Sequence, residues 1–267
     1  MPLDKIAEQE FLEGCALFEQ RQYSDAHRIF SSLVRRYSTE GQFHFWLGWT
    51  LSQLGEKARA QEAMEMSAGL SSALPQNPYL IIATWVGGYC SDARRRPWLD
   101  RGLDWAIASR QPFMIAEARA GLARLGNDKT GARQYLEEAL SYAPDKSDTL
   151  SELSRVLVEL GQYEAAQEVL RNAQERGIVS FTLSSDLGWA LIKLNRKKEA
   201  ATVIREAIDG PDVLAIKKSL QFNWAAHWLS RYYFRHGRFR DLWAISMRQV
   251  DLEEELTAQK KAFQQRI

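Results

Sequence analysis

Small residues recur along this chain on a 34-residue ladder. Ala26 and Ala60 stand 34 positions apart, and so do Ala132, Ala166 and Ala200. Two antiparallel helices approach closely only where a side chain is small, and large neighbours fill the remaining space. The ladder therefore predicts stacked helical hairpins, with Gly14, Gly48 and Gly188 on the first helices facing the Ala sites on the second. Tyr23 and Tyr163 precede their Ala by one helical turn and are expected to cover the turn end of the hairpin. Gly55, Gly126, Gly161 and Gly237 follow Leu54, Leu125, Leu160 and His236 as C-terminal helix stops. One hairpin buries little by itself, whereas a stack shares a continuous core.

The residues around each rung repeat as well. Leu47 and Gly48 in FWLGWTLSQLGEKARAQEAM match Leu187 and Gly188 in SDLGWALIKLNRKKEAATVI. In both copies Trp follows the Gly, Leu comes three residues after it and Ala twelve after it. The fragments LVELGQYEAAQEVL and EGCALFEQRQYSDAHRIF carry further copies. On these residues the chain resembles the tetratricopeptide repeat family, whose unit is a helix, a tight turn and a second antiparallel helix in 34 residues. The resemblance implies an all-α, right-handed superhelical solenoid of about six to seven repeats.

Repeats are expected over residues 5–38, 41–74, 78–111, 112–145, 147–180, 181–210 and 215–250, as one solenoid domain spanning 1–267. The third, between Pro78 and Pro112, has the right length but no small residues in register. Ala60 to Ala132 is 72 residues, two units plus four. The surplus is expected near SDARRRP, where Pro97 opens a helix, and at GNDKTGA. The connector DGPDVLAIKK displaces the seventh unit. Beyond it, residues 240–265 read as one long capping helix with Leu242, Ile245, Leu252, Leu256 and Phe263 on one stripe.

Charge and motifs argue against an enzyme. A net charge of +1 exerts no global pull toward nucleic acid or membrane. The four histidines are scattered, with no HExxH and no Cys–His metal spacing. In GNDKTGA, Gly131 is followed by Ala132 and Arg133 where a phosphate loop needs Lys and then Ser or Thr, and no GxSxG or nucleotide fingerprint occurs. An enzyme is therefore not expected, and neither is a cofactor. Cys15 and Cys90 have no redox or ligand spacing. The charged residues 1–20 predict no secretory signal, and the apolar stretch Tyr79 to Val86 is too short to span a bilayer, so the expected compartment is the cytoplasm.

In the family the first helix of each unit lines a concave wall. By that resemblance Phe45, Trp49 and Gln53 line it in the second unit, Arg155 and Glu159 in the fifth, Trp189 and Lys193 in the sixth, and Trp224, His227, Arg231 and Arg235 in the seventh. Aromatic and Arg side chains commonly carry interface energy. The implied function is a non-enzymatic scaffold or adaptor whose groove takes an extended peptide or helix of acidic character, in the assembly of a larger complex. Trp46, Trp105 and Trp243 are read as inter-helix packing, and Arg94, Arg95 and Arg96 as solvated charge in a connector. The family's Lys, Asn and Arg clamp for a chaperone tail falls on Phe11, Cys15, Phe45 and Trp49, so that ligand is disfavoured.

Two alternatives stay open. Lys217, Lys218, Arg231, Arg235, Arg238 and Arg240 are interleaved with seven aromatics and no acid, a composition that can hold phosphates and stack single-stranded RNA bases. Asp4, Glu8, Glu10, Glu13 and Glu19 stand against one Lys5 at the other end, which permits head-to-tail self-association.

Overall fold

The computed structural model describes residues 5–87, 92–210 and 220–264. Asp4, Cys90, Lys217 and Lys218, and the side chains of Val86, Leu256 and Phe263, lie outside what is described, as does most of the connector DGPDVLAIKK. Among the described residues the chain is all-α, in two compact units divided after Tyr142. No described helix is long and apolar enough to cross a membrane.

The first unit holds the pairs α1 (Lys5–Glu19) and α2 (Tyr23–Arg36), α3 (Gly41–Gln53) and α4 (Lys57–Leu70), α5 (Pro78–Gly87) and α6 (Asp92–Ala108), α7 (Pro112–Leu125) and α8 (Lys129–Tyr142). The second holds α9 (Ser147–Glu159) and α10 (Tyr163–Glu175), α11 (Phe181–Lys193) and α12 (Lys197–Asp209), α13 (Leu220–Arg235) and α14 (Phe239–Gln264). Within each unit every helix packs on the next. In the second unit the first helices α9, α11 and α13 also touch one another in sequence, building a wall.

Local sequence explains the helices. In α2, Ala26, Phe30 and Leu33 recur at helical spacing and are buried, with Asp25 in the first turn and Arg35 and Arg36 in the last to suit the helix dipole. Ala166, Leu170 and Ala173 repeat the pattern in α10. Among the described residues, six hairpins close through three-residue turns whose middle residue is left-handed: Arg21, Gly55, Asn127, Gly161, Asn195 and Gly237. The residue after it donates back five positions, as Glu56 N–H does to Leu51 C=O at 2.9 Å and Arg196 N–H to Leu191 C=O at 2.8 Å. In the GNDKTGA turn Asn127 holds the left-handed place at φ 56° and Gly126 does not, with φ −76°. Asn tolerates that conformation because its short polar side chain bonds locally.

All five rungs of the ladder, Ala26, Ala60, Ala132, Ala166 and Ala200, are fully buried. Each stands five residues after its left-handed turn residue, and in the last hairpin that place belongs to Leu242. The glycines, however, chiefly accommodate the large residue one turn beyond each Ala. A Cβ on Gly14 would come 2.8 Å from the Phe30 ring, one on Gly48 2.9 Å from Met64 Cγ, and one on Gly188 2.5 Å from Ile204 Cγ1. Gly188→Ala is accordingly expected to destabilise the second unit by about 1–3 kcal/mol through overpacking, although Ala is the better helix former by about 1 kcal/mol. Urea unfolding measures this; a stabilised variant would mean that Ile204 yields freely.

Three of the four surplus residues lie elsewhere than expected. The GNDKTGA turn has the ordinary three residues, whereas the connector 71–77 is longer than the 37–40 link. Buried Asn77 orders that connector, accepting from Tyr79 N–H at 3.1 Å and donating to Gly102 C=O at 2.8 Å. Pro97 does not open α6 but lies inside it as its sixth residue, beyond the four N-terminal positions whose N–H has no helical acceptor. Arg94, Arg95 and Arg96 are helical, with Arg96 paired to Asp100 at 3.8 Å.

Candidate functional site

The wall of the second unit carries a polar network above an aromatic pair. Asp186 on α11 is nearly buried, 9% exposed. It accepts from Ser151 Oγ at 2.6 Å and Arg155 Nε at 3.3 Å, both on α9, and from Gln221 Nε2 on α13 at 3.1 Å. Arg155 also donates to Glu152 at 3.3 Å and to Gln221 Oε1 at 3.4 Å, and Gln221 donates to the Thr182 carbonyl at 3.2 Å. Three successive first helices are thus tied through one carboxylate. Burial pushes the Asp186 carboxyl above its ordinary value, against the opposing pull of Arg155 and the Ser151 hydroxyl. Beside it, Ser185 Oγ is buried with no hydrogen-bond partner among the described residues.

One turn along α11, Trp189 meets Trp224 of α13 edge-to-face at 5.0 Å, and Lys193 Nζ lies 4.7 Å over the Trp189 ring. Both indoles are half-buried and Lys193 is exposed. Four expected wall residues, Arg155, Trp189, Lys193 and Trp224, therefore come together in one unit. His227, Arg231 and Arg235 follow Trp224 along α13 and are exposed. Counted back from the left-handed turn residue, Arg155, Trp189 and Arg231 hold one row, and Glu159, Lys193 and Arg235 the next.

The first unit differs. Phe45, expected on the wall, is 1% exposed and packs in the core with Met64, Leu74 and Ile82. Trp49 is half-buried, edge-on to Trp85 at 6.1 Å and to Phe18 at 6.4 Å. Trp46 is packed among Phe11, Phe18 and Phe30, and Trp105 donates its indole N–H to the Ala68 carbonyl at 3.1 Å. Trp243, read as packing, is instead 69% exposed. At the former clamp position Cys15 is half-buried, and burial with the nearby Glu19 pushes its thiol up to about 11.

Sequence reasoning missed Asp186, Ser151 and Gln221. One signal was present: an acid inside SSDLGWAL, where neighbours on both sides are core residues. A buried acid of that kind needs donors. Their identity depends on residues 35 positions away on either side, Ser151 and Gln221. Among the described residues no group of three or more His, Cys, Asp or Glu side chains is gathered as metal ligands would be.

Family models described as tetratricopeptide repeat match residues 11–78 and 126–177. A search of curated proteins returned no match. Among solved structures, a chain of the APC/C hetero-tetramer Cut9–Hcn1 is similar with TM-score 0.63 at 15% identity, over 84% of this chain and 42% of that one. This chain thus spans less than half of that protein's length. A Rap protein complexed with competence and sporulation factor is similar with TM-score 0.59 at 12% identity, over 94% and 75%. The assembly chaperone of RpL4, Acl4, gives 0.54 at 14%, over 88% and 99%. At such identities the likeness is one of fold. The two family matches, the hairpins with their left-handed turns and the buried Ala ladder make this chain a tetratricopeptide repeat protein.

Proposed function

We propose that the chain is a non-enzymatic adaptor that holds an acidic segment of a partner protein, extended or helical, against the first-helix wall of its second unit. The observation that carries this reading is the half-buried Trp189–Trp224 pair with Lys193 above it. Rigid aromatics give contact area at low entropic cost and dominate interface energies. Lys193, Arg231 and Arg235 are exposed and have no ion pair among the described residues, which leaves them for carboxylates of a ligand. The Asp186 network holds α9, α11 and α13 together beneath that surface, so the indoles meet a partner already oriented. The Rap and Acl4 structures, one a complex with competence and sporulation factor and the other an assembly chaperone, support a protein or peptide partner for this fold.

The full chain should select acidic, aromatic- or aliphatic-containing sequences from a displayed peptide library, with binding that weakens as salt rises. For a selected peptide, Trp189→Ala with Trp224→Ala should raise Kd by about thirtyfold or more, corresponding to ~2 kcal/mol or more at a hot spot. A folded double variant with unchanged Kd would sink the wall as the binding site. Selected peptides without acidic residues would sink the charge preference.

A further inference from the structure

Helix α14 is apolar on two opposite faces. Toward α13 it presents Leu242, Ile245 and Leu252, which join the core with Phe222, Leu229 and Tyr233. On the other side Phe239, Trp243, Met247 and Val250 follow at intervals of four, four and three, a single stripe, and are 62, 69, 39 and 47% exposed. Phe234, 64% exposed at the end of α13, meets Phe239 edge-on at 6.2 Å and widens the stripe. A helix with one face against the core ordinarily turns polar residues to water, and a contiguous apolar stripe marks a contact surface.

We propose that this stripe is the interface of a homodimer in which α14 packs antiparallel against α14 of a second copy about a two-fold axis. The charges bordering the stripe select that occupant. At 100° per residue, Arg240 and Asp251 fall along the same edge, three turns apart. Both are exposed, and neither is ion-paired among the described residues. A two-fold axis midway between them sets Arg240 of each copy opposite Asp251 of the other, so one chain supplies both signs and the contact occurs twice. The same register seats Trp243 between Met247 and Val250 of the second copy. Arg248 and Glu255, paired within the helix at 3.2 Å, lie away from the stripe and do not compete.

The size is adequate. Whole aromatic side chains offer about 150–250 Å² each, so three that are mostly exposed contribute on the order of 400 Å² per copy. With Met247, Val250 and the flanking polar groups the face approaches the roughly 800 Å² per partner of a standard interface. It lies outside the Trp189 wall residues, so association and peptide binding are separable measurements.

Light scattering or sedimentation of the full chain over a concentration series at low salt tests the proposal. The expected result is a dimer that dissociates on dilution, and a monomer for Trp243→Glu with an unchanged circular dichroism spectrum. Arg240→Asp and Asp251→Arg should each raise the dimer dissociation constant about tenfold or more by placing like charges opposite one another. Combining them should restore the wild-type constant, which no merely structural effect would do. A wild-type monomer at every concentration overturns the proposal, including one that instead binds labelled single-stranded RNA with a salt-dependent constant. So does a dimer that Trp243→Glu leaves intact, or a combined variant as weak as the single ones.

Discussion

Phe30→Ala is expected to destabilise the first unit by about 3–5 kcal/mol, the range for deleting a buried phenyl ring. Phe30 is fully buried. Its ring lies across Gly14, stacks with Trp46 at 6.0 Å and meets Phe11 edge-on at 6.1 Å. The cavity left behind cannot collapse easily, because Gly14 has no side chain to move into it and the neighbouring aromatics are held by one another. Gly14→Ala should destabilise as well, since its Cβ would come 2.8 Å from Phe30 Cε1. Phe30→Leu in the same chain should relieve that clash, so the two changes should be non-additive. Urea unfolding followed by near-ultraviolet circular dichroism reads both effects. A loss below about 1 kcal/mol for Phe30→Ala would mean that the site refills and that the glycine opposite is not there for the ring.

Asp186→Ala should cost about 2–3 kcal/mol, because Ser151, Arg155 and Gln221 lose their common acceptor in a poorly hydrated place. Asp186→Asn keeps the shape and an acceptor oxygen and should cost far less. The two variants also differ from the wild type in pH dependence. Burial raises the folded-state pKa of Asp186 above 3.8. Between 3.8 and the raised value the folded chain holds a proton that the unfolded chain has released. The contribution of Asp186 to stability is therefore greatest below 3.8 and declines as pH rises through that window. Asp186→Asn removes the slope, so its stability relative to wild type should improve as pH rises. Unfolding free energies of both proteins across the window decide the matter. A difference that is flat or of opposite sign would show that the partners outweigh burial and that the carboxylate is stabilised in its charged form.

The hairpins were legible because their cause is local and periodic. Ala166 and Ala200 are buried for the same steric reason, and each follows its turn by the same five residues. Arg155, Trp189 and Lys193 fall on first helices for that reason too. Phe45 shows where register alone fails: it shares a row with Ser151 and Ser185, and its large ring is drawn into the core beside Met64 and Ile82. Ser151 and Ser185 are buried there as well, so the row belongs to the packing between helices and not to an open face. Trp243 fails in the opposite sense. Its size is that of a packing residue, but α14 has already committed Leu242 and Ile245 to the core, and the indole is left facing outward.

By itself the sequence determined which helices pair and where each pair turns, since close approach and a left-handed stop are conditions met within one 34-residue unit. Only the tertiary structure decided which side chain each glycine admits, that Asp186 joins three helices, and that α14 has a second apolar face. Those outcomes depend on contacts between residues of different helices, where volume, exposure and hydrogen-bond demand are balanced in three dimensions.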